Sequence, residues 1–382
     1  MFTRIIPLPA RPSETFFLWG PRQSGKSTVL KKLYPQALWI DLLKTDEYLH
    51  YFKYPHALRE ELLSGDKKTD LVIIDEVQKV PLLLDEVHWL IENTGIIFGM
   101  CGSSARKVKR GQANLLGGRA LRYEMHGLVS SELGGDFDLV RLLNHGYLPP
   151  HYVSKNPQAK LRSYVNDYLK EEIAEESLVR NLPVFSEFLN IAALSDTEKI
   201  NMANIARECN ISKPTVKEYF QILVDTNLGR FLPVYSKRPK RRISHAFKFY
   251  FSDVGVVNHL ARRGHVEPGS ELFGKAFENW VFHELLTYSH YKEKFADIYY
   301  WGISSGAEVD FVINNMECAI EVKSSAHVVG HHLKGLAEIK KDYPVKRRIV
   351  VSLEKKSRLT KEGIEIFSVD RFISELWNGK LF

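Results

Sequence analysis

The first 130 residues alternate short apolar runs with segments of helical length. Strand-like runs lie at 16–19, 38–42, 71–74 and 96–101, and helix-like segments lie between them at 26–33, 45–63 and 82–92. Continuous apolar strands separated by helices are typical of a parallel sheet covered on both faces. The pattern therefore predicts an α/β fold with a parallel-sheet core in this part of the chain.

The pattern becomes helical after this region and mixed again near the end. Apolar residues recur at helical spacing from 159 to about 194, and 201–232 predicts a compact helical unit. The last third predicts a helix from about 272, then strands, a helix and a further strand. Its strands are expected near 298–301, 309–313 and 319–322, with the final helix and strand within 333–352.

Composition agrees with a soluble multidomain protein. The 382 residues suffice for two or three domains, and 44% hydrophobic with 26% charged residues is an ordinary globular balance. Cys101, Cys209 and Cys318 lack metal-ligand spacing and predict reduced thiols. No apolar run approaches the ~18 residues of a membrane span, and the first residues lack a signal-peptide core. We expect a cytoplasmic protein with no membrane partner.

A phosphate-binding motif follows the first predicted strand. The segment matches G-x-x-x-x-G-K-[ST] and consists of Gly20, Pro21, Arg22, Gln23, Ser24, Gly25, Lys26 and Ser27, followed by Thr28. Glycines let such a loop wrap closely around phosphates, and its N–H groups and the following helix N-terminus favour negative charge. Lys26 is expected to reach the β- and γ-phosphates and Ser27 to bind Mg²⁺. The motif predicts ATP and Mg²⁺ as cofactors.

The third predicted strand ends in two carboxylates. Asp75 in this position is expected to hold Mg²⁺ through water, and Glu76 to polarise the attacking water. The fourth strand leads to Ser103 and Ser104, which are expected to help orient that water. Together with the phosphate-binding loop, these residues predict ATP hydrolysis.

Several arginines downstream are candidates for an arginine finger, which would contact the γ-phosphate of a neighbouring subunit. They are Arg106, Arg110, Arg119 and Arg122. Arg119 is the chosen candidate, and the alternative is a solvated arginine.

These motifs resemble those of the AAA+-type ATPases of bacteria and archaea that carry a C-terminal domain of uncharacterised function. The resemblance rests on FFLWGPRQSGKST, LVIIDEVQKVPLLLDEVH and CGSSARKVKRGQANLLGGRALRYE, and on the later runs LVRNLPVF, SKPTVKEYFQILVDTNLGRFLP and GAEVDFVI…AIEVK. It covers nearly the whole chain. It implies an AAA+-like core and assembly into a homo-oligomer, with a hexameric ring as one form.

The middle of the chain predicts a helix, a tight turn and a second helix at 204–220. Val216 and Phe220 belong to the expected buried face of the second helix, which leaves Lys213, Thr215 and Lys217 to face DNA as in a recognition helix. Helix-turn-helix units also serve as protein-interaction modules, so this segment alone leaves both partners open.

A basic stretch without acidic residues follows at 230–248, and its cluster SKRPKRR lies between two strand-like runs, 231–235 and 247–251, as the wing of a winged helix would. Its cations are Arg230, Lys237, Arg238, Lys240, Arg241, Arg242 and Lys248. Neutralising several phosphates would give salt-sensitive, sequence-tolerant DNA binding, and the alternative is a solvated charged hairpin. The stretch favours DNA as a partner.

The last third resembles the restriction-endonuclease-like pattern. One predicted strand presents Asp310, and the next presents Glu321 and Lys323 on one face because they are two residues apart. Carried over from that pattern, Asp310 and Glu321 would bind Mg²⁺, Lys323 would be the catalytic lysine, and Glu278 on a preceding helix would complete the set. The usual proline before the aspartate is absent, and the fold also serves as a DNA-binding scaffold, so cleavage stays open.

The predicted architecture is a P-loop AAA+-like core at 1–155, a helical connector at 156–198, a winged helix at 199–268 and a restriction-endonuclease-like α/β domain at 269–382. The leading hypothesis is an ATPase that remodels or translocates on DNA, with branched DNA as one candidate substrate. The alternatives are a regulatory ATPase switch that binds a protein partner and a nuclease licensed by ATP.

Overall fold

The chain divides into two compact units, each built from more than one segment. A computed structural model describes residues 2–64, 69–104, 116–170, 181–236, 247–303 and 306–382. The N-terminal unit comprises Arg4–Gly127 with Gln221–Leu228, and the C-terminal unit comprises Met1–Thr3, Leu128–Phe220 and Gly229–Phe382. The segment predicted as one domain at 1–155 is thus divided, because residues from 128 onward pack within the C-terminal unit.

The N-terminal unit is built on a five-stranded sheet. Its strands are β1 (Phe16–Trp19), β2 (Leu38–Asp41), β3 (Leu71–Asp75), β4 (Ile97–Gly102) and β5 (Leu121–Glu124). Their order is β2-β3-β4-β1-β5, and every pairing is parallel. The predicted parallel α/β core is confirmed. Because the carboxyl ends of parallel strands meet at one edge, the ends of β1, β3 and β4 converge there.

Helices flank this sheet: α1 (Lys26–Leu33), α2 (Thr45–Lys53), α3 (Ala57–Leu63) and α4 (Leu83–Asn93). Short 3₁₀ turns lie at Val77–Lys79 and Leu116–Gly118. The helix predicted at 45–63 is two helices, since Pro55 between them cannot donate a helical hydrogen bond and disfavours helical backbone before it. Phe17, Ile74 and Phe98 are fully buried in the core.

The C-terminal unit begins with helices. They are α5 (Ser130–Leu133), α6 (Leu139–His145), α7 (Pro149–Tyr152), α8 (Pro157–Ser163) and α9 (Leu182–Leu194), with a π-helix at Tyr164–Lys170. A 3₁₀ turn lies at Gly134–Asp136. Asn181 begins α9 by accepting a hydrogen bond from the Val184 N–H, and proline occupies an early position of the helix, where it is tolerated.

A helix-turn-helix and a strand pair follow. The helices are α10 (Met202–Glu208) and α11 (Lys213–Asp225), and the antiparallel strands are β6 (Gly229–Leu232) and β7 (Lys248–Phe251). Ser212 Oγ accepts a hydrogen bond from the Thr215 N–H at 3.2 Å, which satisfies one free donor at the start of α11. The helix pair agrees with the predicted order of elements.

The remaining elements form a six-stranded sheet with helices. Its strands are β8 (Ile298–Gly302), β9 (Glu308–Ile313), β10 (Cys318–Lys323), β11 (Arg347–Ser352), β12 (Arg358–Leu359) and β13 (Glu365–Phe367). Their order is β12-β13-β11-β10-β9-β8. The helices are α12 (Val254–Leu260), α13 (Glu271–Tyr291), α14 (Lys334–Asp342) and α15 (Val369–Trp377), with a 3₁₀ turn at Gly330–Leu333. The central α13 buries Phe277 and Trp280 against this sheet's core.

Two further expectations concern cysteines and membranes. Cys101, Cys209 and Cys318 are buried thiols that form no disulfide. Within the described ranges, no helix has the length and apolar content needed to cross a membrane.

Candidate functional site

The phosphate-binding loop connects β1 directly to α1. Gly25 has φ 97°, in the left-handed region that glycine adopts without strain, and it immediately precedes the first helical residue, Lys26. A Cβ at Gly20 would lie 2.3 Å from the carbonyl oxygen of Met125. Glycine is therefore required at both positions, for backbone conformation at one and for close packing at the other.

Lys26 is held against the loop that it follows. Its Nζ donates to the carbonyl of Gly20 at 2.8 Å and of Pro21 at 3.1 Å, and the side chain is buried. Ser24 Oγ also donates to the Pro21 carbonyl, at 2.8 Å. The loop is thus closed by its own side chains, with Ser27 half-buried in the first turn of α1.

Asp75 lies at the carboxyl end of β3. Its Oδ1 accepts hydrogen bonds from the Cys101 thiol at 2.7 Å and from the Glu76 N–H at 3.1 Å. Burial, and then the Asp75 carboxylate, raise the pKa of Cys101 well above its usual range, so this thiol stays protonated and can donate. The neighbouring strand therefore fixes the carboxylate that is predicted to hold Mg²⁺.

A glutamine that the sequence did not single out connects two predicted catalytic residues. Gln78 Nε2 donates to Glu76 Oε2 and lies 3.1 Å from Ser103 Oγ, and all three residues are buried. A Cβ at Gly102 would lie 2.0 Å from Gln78 Oε1, so glycine makes room for the amide. The available signal was a long amide side chain two residues beyond the acidic pair.

Ser103 has a second contact that sequence spacing cannot indicate. Its backbone carbonyl accepts a hydrogen bond from Asn227 Nδ2 at 3.2 Å. Asn227 lies two residues after the end of α11, and its segment, Gln221–Leu228, belongs to the N-terminal unit. Ser104 is buried next to Ser103.

The structure describes two of the four arginine-finger candidates. Arg119 Nε pairs with Glu92 Oε1 at 2.6 Å on the surface of the N-terminal unit, and Arg122 is exposed on β5. Arg106 and Arg110 lie outside the described residues. A role of Arg119 toward a neighbouring subunit stays a prediction.

The nuclease-like residues are brought together in the C-terminal unit. Phe311 on β9 pairs with Ile320 on β10, so the adjacent Asp310 and Glu321 lie on neighbouring strands. Asp310 Oδ2 accepts a hydrogen bond from the Val322 N–H at 2.8 Å. Lys323 Nζ pairs with Glu321 Oε1 at 2.5 Å.

Burial and mutual repulsion shift the pKa values of this cluster. Burial, and then the Asp310 carboxylate, raise the pKa of Glu278 to about 7, against the opposing effect of Lys248. Burial and Asp310 also raise the pKa of Glu321 well above its usual value. Burial would lower the pKa of Lys323, but Asp310 and Glu321 raise it overall. The groups are electrostatically coupled, as in a functional or ion-pair site.

The helix-turn-helix presents the predicted cations to solvent. Lys213 and Lys217 are exposed and Thr215 is half-buried, whereas Val216 and Phe220 are fully buried. The two lysines are thus exposed and the two apolar residues buried, as the sequence predicts.

The structure describes only the two ends of the basic stretch. Lys237, Arg238, Lys240, Arg241 and Arg242 lie outside the described residues. Arg230 is half-buried, and burial lowers its pKa to about 10, so it stays charged at neutral pH. Lys248, at the end of the basic stretch, is buried among carboxylates and so does not belong to an exposed basic surface.

Three family models match successive parts of the chain. An AAA domain matches residues 12–134, a domain of unknown function (DUF8612) matches 136–267, and another (DUF4143) matches 273–372. No curated protein matches this chain in sequence.

Three solved structures are similar to parts of it. The Walker-type ATPase PABY2304 of Pyrococcus abyssi is 14% identical with a TM-score of 0.44, over 64% of this chain and 90% of that one. The Aeropyrum pernix Orc1 protein in complex with DNA is 12% identical with a TM-score of 0.29, over 66% and 87%. The STAND protein with a tetratricopeptide repeat sensor PH0952 of Pyrococcus horikoshii is 14% identical with a TM-score of 0.21, over 75% and 48%.

The AAA-domain match, the all-parallel sheet and the phosphate-binding loop together identify the fold of the N-terminal unit. The N-terminal unit is a P-loop ATPase domain of the AAA type, and the protein is an ATPase.

Proposed function

We propose that this protein is an ATP-driven machine that acts on DNA, in which hydrolysis in the N-terminal unit drives remodelling of, or translocation on, DNA held by the helix-turn-helix. One observation carries this proposal. Helix α11 begins at Lys213 in the C-terminal unit, and its last residues belong to the N-terminal unit. The helix with the exposed cations is thus continuous with the segment that contacts Ser103 at the ATPase site.

The ATPase residues have separate tasks in this proposal. Lys26 would leave its carbonyl partners to bind the phosphates, while Ser27 would supply a hard oxygen ligand of the kind that Mg²⁺ prefers and Asp75 would hold the ion through water. Mg²⁺ would neutralise developing charge on the phosphate oxygens. Glu76, held by Gln78, orients and polarises the attacking water.

DNA binding in this proposal is electrostatic. Lys213 and Lys217 lie four residues apart on α11 and are both exposed, whereas Val216 and Phe220 are buried. The cations of 237–246 would add phosphate contacts. Contacts to phosphate carry little sequence information, so binding should tolerate many sequences and weaken steeply with salt.

The decisive experiment measures ATPase rate and DNA binding together on duplex, single-stranded and branched DNA. DNA should stimulate the wild-type ATPase. Glu76→Gln should abolish turnover and retain ATP binding, because it keeps the side-chain volume and removes the base. The double variant Lys213→Gln/Lys217→Gln should reduce the slope of log affinity against log salt by about 2.

The matched control is Lys355→Gln/Lys356→Gln, which removes two exposed cations elsewhere on the chain. It should bind DNA like the wild type. If no DNA binds or stimulates while Glu76→Gln is inactive, the regulatory switch with a protein partner replaces this proposal.

A further inference from the structure

A buried lysine lies inside the carboxylate cluster of the C-terminal unit. The cluster consists of Glu278 on α13, Glu308 and Asp310 on β9, and Glu321 on β10. Lys248 Nζ lies 2.7 Å from Glu308 Oε1, 3.1 Å from Glu278 Oε1 and 3.6 Å from Asp310 Oδ1. Lys248 therefore donates hydrogen bonds to Glu278 and Glu308 and forms a longer ion pair with Asp310.

The position of Lys248 is fixed from several sides. Its backbone pairs with Leu232 across the β6–β7 strand pair and forms a bridge with Lys199. Its side chain is only 5% exposed. Two residues along the same face of β7, Tyr250 donates its hydroxyl to Glu278 Oε1 at 2.6 Å. The strand therefore delivers a cation and a hydroxyl to the same carboxylate.

Within the described residues, the carboxylates of this cluster do not form a site with three protein ligands for a divalent metal ion. Mg²⁺ needs oxygen ligands at 2.0–2.1 Å, so neighbouring ligand oxygens must be about 3 Å apart. In the part of the chain that the structure describes, Glu278, Asp310 and Glu321 do not bring three oxygens within 4.8 Å of one another. Glu321 Oε2 is buried without a hydrogen-bond partner among the described residues.

The charge of the cluster also leaves little room for a divalent ion. Besides Lys248, Lys323 pairs with Glu321, and Lys199 at the rim pairs with Glu308 Oε2 at 2.6 Å. Four carboxylates thus face three lysines, which leaves one negative charge when all are ionised. A divalent ion would reverse the sign of the cluster, at a cost in a buried site.

We propose that Lys248 is the resident cation of this cluster in place of a divalent metal ion, so that the nuclease-like site of this protein is a metal-free polar core. The lysine holds Glu278 and Asp310 in their buried positions, where unpaired carboxylates would be strongly destabilising. The C-terminal sheet then contributes a scaffold, and metal-dependent DNA cleavage is not part of its activity.

The test measures Mn²⁺ binding to the full-length protein in the absence of nucleotide. Binding is monitored by electron paramagnetic resonance, as a decrease in the signal of free Mn²⁺. Wild type and Asp310→Asn should bind equally little Mn²⁺. Lys248→Met, which keeps the length and apolar stem, should gain one Mn²⁺ per chain and a Mn²⁺-dependent rise in Tm. Adding Asp310→Asn to Lys248→Met should remove both gains.

Lys199→Met is the matched control, since it removes a lysine from the same Glu308 and leaves Lys248 in place. It should gain no Mn²⁺ site. Stoichiometric Mn²⁺ binding by the wild type that is lost in Asp310→Asn would overturn the proposal, and this comparison stands even if Lys248→Met does not fold. A folded Lys248→Met variant that gains no site would overturn it as well.

Discussion

The side-chain amide of Gln78 donates a hydrogen bond to the carboxylate of Glu76. Glu76 has φ 56°, an uncommon conformation for a residue with a side chain, and the 3₁₀ turn Val77–Lys79 follows it directly. The turn carries Gln78 back toward the carboxylate, and the same amide nitrogen lies 3.1 Å from Ser103 Oγ. One side chain thus orients both groups predicted to act on the attacking water.

Replacing Gln78 with leucine should therefore impair turnover more than binding. The variant removes the donor that holds Glu76, and we expect kcat for ATP hydrolysis to fall about tenfold, equivalent to about 1.4 kcal/mol of transition-state stabilisation. The KM for ATP should change by less than threefold. Steady-state kinetics with and without DNA measure both quantities.

Ser103→Ala is the companion variant, because it removes the second partner and leaves the Gln78–Glu76 bond. Its loss in kcat should be smaller than that of Gln78→Leu. Equal KM increases in both variants with unchanged kcat would show that the network serves nucleotide binding and not the chemical step.

Gly20 should not tolerate even one methyl group. A Cβ there would lie 2.3 Å from the Met125 carbonyl oxygen, which is backbone and cannot rotate away. The loop must shift, and overpacking of this kind costs about 1–3 kcal/mol. We expect Gly20→Ala to weaken the binding of a fluorescent ATP analogue at least tenfold. Gly95→Ala is the control, since a Cβ there has no neighbour within 4 Å, and nucleotide affinity should stay at the wild-type value.

A variant of Asn227 tests the proposed connection between α11 and the ATPase site. Its Nδ2 contacts the Ser103 carbonyl, and its φ is 59°, so glycine at this position removes the contact and keeps the backbone. In Asn227→Gly, the ratio of DNA-stimulated to basal ATPase rate should fall toward one. Asn210→Gly, at φ 51° in the turn after α10, is the matched control and should retain stimulation. Full stimulation in Asn227→Gly would refute coupling through this contact.

The sequence pattern predicted those features whose structure depends on residues close together in the chain. Spacing was enough for the phosphate-binding loop, for the strand ending at Asp75 and for the exposed lysines of α11. Each of these features depends on residues that are close together in the sequence. The alternation of apolar and polar positions determines the strand and the helix, and glycine determines the loop. The break at Pro55 was missed because helical apolar spacing continues across it.

The missed functional residues depend on contacts between distant segments. Lys248 belongs to a basic stretch in the sequence, and only strand pairing with β6 and packing against α13 and β9 bury it among carboxylates. Asn227 contacts Ser103, 124 positions earlier in the chain. Side-chain identity alone could not indicate either partner.

The last prediction concerns Glu284, a fully buried carboxylate in the C-terminal unit. It accepts hydrogen bonds from the Ser130 N–H at 2.8 Å, the Ser130 hydroxyl at 2.9 Å, Trp280 Nε1 at 3.1 Å and Trp377 Nε1 at 2.8 Å. Burial nevertheless raises the pKa of Glu284 from 4.5 to about 7. Between these values the folded state keeps a proton that the unfolded state has lost. Stability should therefore fall as pH rises through this window, by about 3 kcal/mol if the shift is fully expressed.

Glu284→Gln is uncharged at every pH, so it should lack this part of the pH dependence even if it is less stable overall. Urea unfolding at pH 5, 6, 7 and 8, followed by tryptophan fluorescence, measures the slope. Glu338→Gln on α14, which removes the partner of Lys341, is the control and should retain the wild-type slope. An identical decline in Glu284→Gln and wild type would assign the pH dependence to other groups, because the substituted side chain cannot titrate.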